Sequence, residues 1–155
     1  MARVIADGEV KINWVVTISA VTQPTTTEIS AGTEVTPYLQ SLDTPLDGDA
    51  VDASDLSTAF NKSVAGTFGG GASADMYRDD TTDTAYAAFP RNTTGYMVIR
   101  RFGGSDTAWA AADEVEVWPL RVITRSPSTM DRNTVQMFSV DFATLDEPTL
   151  NAVVT

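Results

Sequence analysis

Carboxylates are the one abundant reactive group in this chain, with 15 Asp and 6 Glu set against 8 Arg and 2 Lys and with no His or Cys among 155 residues. The net charge is -11 and the pI about 4.1. Without imidazole or thiol there is no His-based triad, cysteine nucleophile, thiolate zinc site or disulfide framework. The densest acids, Asp47-Gly48-Asp49 with Asp52 and Asp55, suggest Ca2+, which takes several oxygen ligands. They lack the alternate ligand positions, sixth-position glycine and closing Glu of a helix-flanked calcium loop. A solvated acidic loop is the simpler account. Asp79, Asp80 and Asp83 precede an apolar segment, where helix capping explains them. Glu114 and Glu116 alternate as any acidic strand would, without the His or aromatic-lined pocket that would support glycoside hydrolysis. The Gly69-Gly70-Gly71 triplet is followed by no helix start and no Lys-Ser or Lys-Thr, so it is no phosphate cradle. Arg100-Arg101 is the only adjacent basic pair. It suits pairing with carboxylates across a subunit boundary better than nucleic-acid binding, which needs many cations to displace counterions. No catalytic residue, metal site or cofactor is expected, and the chain does not read as an enzyme.

The elements that carry these groups read as mostly β, because Thr, Val, Gly and Asp are frequent while Leu, Lys and Glu are scarce. One domain over residues 1–155 is expected, with an extended N-terminal arm (1–12), a long acidic loop (40–55) and a C-terminal arm (145–155). A first strand is expected at Asn13–Ile18 and a short one at Glu28–Thr36, broken near Gly32. A turn follows at Pro37-Tyr38-Leu39. The 40–55 loop, with Pro45 and Gly48 among its acids, reads either as a contact element that orders on assembly or as a plain solvated loop. Lys62–Arg78 gives two short segments around the glycine triplet, which is either a hairpin turn or a bulge inside one long strand. Asp79–Phe89 is the one helix candidate, ended by Pro90. Strands are expected at Gly95–Phe102, at Asp113–Trp118 with Val115 and Val117 on a buried face, at Leu120–Thr124 past a bulge or edge at Pro119, and at Thr134–Phe142. Trp14 and Trp118 fall in strand patterns and read as core or interface aromatics. No run approaches the about 20 apolar residues of a membrane helix, and the first residues hold no signal-peptide core. A soluble product made in the cytoplasm, with no membrane partner, is expected.

Several pieces follow one another in a set order and spacing: Gly8–Ile18, Pro24–Thr36, the Gly-rich strand ending Met76-Tyr77-Arg78-Asp79-Asp80, the short helix, Gly95–Arg101 and Asp113–Leu120. In that order and spacing the chain resembles the major tail tube proteins of long-tailed, non-contractile (siphovirus-type) bacteriophages. The resemblance spans most of the chain. It implies a β-sandwich or barrel-like core with one short flanking α-helix, copies joined into hexameric rings, and rings stacked into a hollow tube around a tape measure protein. Tail tip or baseplate and tail terminator proteins are the further partners it implies, in a virion tail. Double-stranded DNA would pass through without specific binding, repelled by an acidic wall. Asp75, Glu114, Glu116 and Asp141 are the acids expected to face such a channel, and Asp47, Asp49, Asp52 and Asp55 those expected at ring-to-ring contacts. A capsid decoration protein or a receptor-binding β-sandwich of a virion is the alternative, and would give trimers or monomers in place of filaments.

Overall fold

The computed structural model describes residues 2–155. In chain order the elements are β1 (Lys11–Val15), α1 (Thr26–Ser30), β2 (Thr33–Glu34), β3 (Leu39–Asp43), β4 (Leu46–Asp52), β5 (Ser63–Tyr77), α2 (Thr84–Ala88), β6 (Thr94–Arg100), β7 (Glu114–Pro127), β8 (Met137–Thr144) and β9 (Thr149–Val153). The fold is mostly β, as expected, with two short helices where one was expected. The strands form one antiparallel sheet whose path is β2-β1-β6-β7-β8-β5-β3, with β4 added along β5 and β9 along β7.

Strand alternation decides where the core lies. Ile12 and Trp14 of β1, Met97 and Ile99 of β6, Trp118, Leu120 and Val122 of β7, Phe138, Val140 and Phe142 of β8, and Ala72, Ala74 and Met76 of β5 are all buried in one cluster. β1 and β8 are separated in the sheet by β6 and β7, yet the Trp14 and Phe142 rings lie 5.7 Å apart. Phe89, just past α2, wedges against both at 5.0 and 5.6 Å. The sheet therefore curls around this aromatic centre, in which each fully buried large side chain is worth roughly 1.5–3 kcal/mol. The other face is apolar only at one end, where Val15, Val98, Val115, Val117, Ala152 and Val154 meet Ile29 of α1. Asn13 fastens α1 there by donating from Nδ2 to the Ile29 carbonyl at 2.9 Å.

Several segments differ from the sequence expectation. Only the end of Glu28–Thr36, past Gly32, is a strand (β2): α1 occupies Thr26–Ser30, and Thr25 caps it by accepting the Glu28 amide at 3.1 Å. The helix expected at 79–89 is confined to Thr84–Ala88. Asp83 at its N-cap sits at φ 49° with no capping bond from its side chain. The 40–55 segment is not an irregular loop, since it holds the end of β3 and all of β4. The glycine triplet is no hairpin turn but lies inside the 15-residue β5. In the segment expected to be a C-terminal arm, β9 pairs with β7 and buries Ala152 and Val154. Pro119 neither bends β7 nor needs an edge. Its carbonyl accepts from Leu145 at 2.9 Å, so its nitrogen faces the gap where the β9 ladder stops and the β8 ladder begins. A missing N–H costs little in such a gap.

Candidate functional surface: an acidic sheet face with open edges

The uncovered half of the sheet's second face is built by the residues that alternate with the core. On β8, Phe138, Val140 and Phe142 point inward, so Ser139 and Asp141 point out. On β5 the outward residues are Gly71, Ser73 and Asp75. Register places Asp141 across from Ser73, Asp75 across from Ser139, Ser41 across from Asp75, and Asp43 across from Ser73. A bulge at Ile123 turns Thr124 to this same face, opposite Asp141. Hydroxyls hold the acids in place: Ser139 donates to Asp75 at 2.6 Å, Ser41 to its other oxygen at 3.2 Å, and Thr124 to Asp141 at 3.3 Å. Neutral donors of this kind orient a carboxylate without cancelling its charge.

The face continues onto a projecting arm. β5 runs past the end of β8, and its first half pairs only with β4. The resulting hairpin is solvent-exposed on all of β4 and nearly all of Ser63–Gly70. Asp47 lies opposite Gly69, on the outward face shared with Gly71, Ser73 and Asp75. Asp49 follows two residues later on that face and accepts from Thr67 at 3.4 Å. Gly70 allows the close crossing at the hairpin's base, since a Cβ there would meet the Pro45 carbonyl at 2.9 Å and Leu46 Cδ2 at 2.7 Å. Asp52 and Asp55 sit nearer the tip, where Ser54 and Ser57 hydroxyls and amides hold their carboxyls below the usual range.

This arrangement regroups the acids singled out in the sequence. Asp75 and Asp141 do share one face, and Asp43, Asp47 and Asp49 join them there. Glu114 and Glu116 do not. They share the parity of Trp118 and Leu120, on the core side of β7, and Glu116 is ion-paired with Arg101 and accepts from Trp118 Nε1 at 3.3 Å. That pairing keeps the Arg101 guanidinium more firmly protonated than usual. The period-two pattern showed that Val115 and Val117 oppose Glu114 and Glu116, but not that the acids take the core side, with Glu116 half-buried across from Ile99 and Glu114 exposed at the start of the strand. Arg100, by contrast, is almost fully buried. It donates to Asp113 at 2.8 Å and to the carbonyls of Gly104, Thr107 and Ala108, organising the 101–113 loop from within one subunit. A second cluster braces the far end of the sheet, where the Arg78 and Arg125 guanidiniums stack on the Tyr86 ring at 3.7 and 3.8 Å. Arg78 Nε also donates to Asp83 at 2.8 Å, which lowers the Asp83 carboxyl below its usual range.

Two strand edges flank the acidic face. β3 pairs only with β5, leaving its outer edge open. On the other side, β6 pairs with β7 only as far as Arg121, and after Val122 bonds the Asn92–Thr93 turn no strand among the described residues pairs with that edge. The face thus combines oriented acids, small hydroxyl residues, an exposed cation (Arg121, across from Ala143) and two open edges. Among the described residues no cluster of acids is arranged to hold a metal ion.

The chain matches the phage tail tube protein family over residues 1–155. It belongs to that family. This tail tube protein matches no protein of curated function. Its fold is similar to three solved assemblies. A chain in the tail of an empty gene transfer agent particle with C6 symmetry has a TM-score of 0.59 and 12% identity, over 97% of this chain and 100% of that one. A chain in the native gene transfer agent virion has 0.57 and 11%, over 97% and 100%. A chain in the six-fold symmetrised baseplate of the anti-feeding prophage has 0.54 and 9%, over 96% and 97%. Family and fold are those of a structural protein of the virion tail. What sequence reasoning missed was Asp43 and the open edges. The Ser41-Leu42-Asp43 alternation carried a strand signal, but the neighbouring Pro45 and Gly48 outweighed it.

Proposed function

We propose that the whole chain acts as one tail tube domain, copies of which join edge to edge into rings of six that stack into a hollow conduit. The observation that carries this reading is the acidic, hydroxyl-rich face bounded by two open edges. An exposed edge is a template for pairing with another chain, and a donor edge that differs from its acceptor gives head-to-tail rings. The β3 edge of one copy meeting the β7 edge of the next would extend the four-strand surface β7-β8-β5-β3 around a bore. The six-fold symmetry stated for the similar tail and baseplate assemblies supports six copies. Asp75 and Asp141, with Asp43, then line the bore, and a ring carries six times the single-chain charge of -11. Such a wall repels phosphates and lets double-stranded DNA slide during genome delivery.

Glu114 and Glu116 drop out of the lining because they sit on the core side of β7. Asp47 and Asp49 extend the acidic face along the hairpin. Asp52 and Asp55, nearer its tip with the exposed Leu56 and Phe60, are left to reach the adjacent ring. Synthesis in the host cytoplasm, a tape measure protein inside the tube, and terminator and tip or baseplate proteins at its ends complete the reading.

Negative-stain microscopy of concentrated purified protein tests it. Tubes of stacked rings are the expected result, whereas compact trimers or persistent monomers would overturn it. A second measurement tests the lining: tubes of an Asp75→Lys, Asp141→Lys chain should retain double-stranded DNA at low salt while wild-type tubes do not.

A further inference from the structure

A ridge formed by Leu145, Asp146 and Glu147 connects β8 to β9, and a hollow lies on either side of it. One, of about 400 Å³, is walled by Val16, Val21 and Pro119. The other, of about 380 Å³, lies under the hairpin against Leu46 and Phe68. The walls hold large apolar side chains left open to solvent: Val16 is 68% exposed, Phe68 58% and Leu145 49%. The ridge itself is acidic, and neither Asp146 nor Glu147 makes an ion pair among the described residues.

The complementary piece is at the opposite end of the same chain. Arg3-Val4-Ile5 lies outside any helix, strand or turn, with Val4 58% and Ile5 72% exposed. Arg3 is without an ion pair among the described residues. Consecutive side chains of an extended segment point to opposite sides, so Val4 and Ile5 would enter one hollow each while Arg3 meets Asp146 and Glu147. Other exposed apolar groups fit the acidic ridge less well. Leu56 stands beside Asp55, and Met130 and Val135 flank Asp131 and Arg132, whose charges cancel.

The segment cannot serve its own ridge. Gly8 is held by Ser105, whose amide donates to its carbonyl at 2.8 Å, beyond Lys11 and its partner Arg100 at one end of β6. The first hollow adjoins Gly95 and Pro119 at the other end, and the second lies across the same ridge from it. From Arg100 to Gly95 is roughly 17 Å along the strand, and the link from Gly8 back to Val4 spans at most ~14 Å. Donor and acceptor are separate patches, so the contact is heterologous and propagates from copy to copy.

We propose that residues Arg3–Ile5 of one copy lie across the Leu145–Glu147 ridge of another, clasping neighbours together in the assembly. This rests on the ring reading above and names the contact that would reinforce it. The test is a charge exchange in the full chain, read as the concentration at which sedimenting assemblies appear. Arg3→Glu alone, and Asp146→Lys with Glu147→Lys alone, should each raise that concentration about tenfold, and combining all three should restore it. Unchanged assembly of Arg3→Glu, or no recovery in the combined variant, overturns the clasp. Absence of rings from the wild-type chain would instead overturn the ring reading. All three positions are exposed, so monomer melting temperatures should match throughout.

Discussion

The curled body and the projecting hairpin use the same kind of strand to opposite effect. In the body β5 contributes Ala72, Ala74 and Met76 to a closed core, yet eight residues earlier along the same strand Val64 and Phe68 stand open to water. An isolated two-stranded ribbon is marginal at best, so the hairpin adds little to the fold of a single copy, and its part in the proposed tube is the contact with the next ring. Stability and assembly are thus assigned to different stretches of the chain, and substitutions should separate them.

The largest effect belongs to the centre of the body. Trp118→Ala removes a side chain only 1% exposed and should cost about 3–5 kcal/mol in urea unfolding. Arg100→Met comes next. It takes the guanidinium away from three loop carbonyls and from Asp113, which keeps only the Ala110 amide, and a loss of roughly 3 kcal/mol is expected in the same assay. Glycines sharpen the contrast. A Cβ on Gly95 would lie 2.7 Å from the Trp14 ring, while one on Gly69 would meet nothing within 4 Å. Gly95→Ala should therefore destabilise by about 1–3 kcal/mol and Gly69→Ala by less than about 0.5.

A smaller effect depends on pH. Asp83 has a lowered folded-state pKa, held down first by its hydrogen bond from Arg78, so its contribution is full above the unfolded value of about 4 and fades as pH falls through the depressed one. Wild-type and Asp83→Asn melting temperatures should differ at pH 7 and converge at the acid end. The smallest effect on a single copy should come from Phe68→Ala, within about 0.5 kcal/mol. The same variant should nonetheless impair tube formation, and a large loss of monomer stability would erase the distinction between hairpin and body.

The strands of the body were readable over Glu114–Trp118, Gly95–Ile99 and the Met137–Phe142 part of Thr134–Phe142, where apolar and β-branched residues run long enough to mark a strand, and alternation placed Val115 and Val117 on a buried face. Short elements were not. Thr25 and Glu28 form the pair that starts α1, yet the β-branched residues around them argue equally for a strand. β4 escaped because Asp47, Gly48 and Asp49 are poor strand formers, and it exists only by pairing with β5. Asp75 and Asp141 each fell in a segment expected to be extended, but the face they share and their adjacency needed the β5–β8 register. Glu114 and Glu116 were expected to face a channel, but alternation shows only that they oppose Val115 and Val117, not which of the two sides turns to the core. Bulges such as the one at Ile123, which reverses parity within a strand, leave no trace in composition.

The hairpin is joined to the body through Thr44-Pro45, the continuous backbone of β5 and, at its base, the Thr144 hydroxyl bonded to the Gly70 carbonyl. It can therefore be treated as an exchangeable cartridge. Grafting the corresponding ribbon from a distant relative would alter which tubes recognise one another while leaving the receiving subunit's folding intact, so two tails sharing a cytoplasm could be kept from mixing by changes confined to this one ribbon.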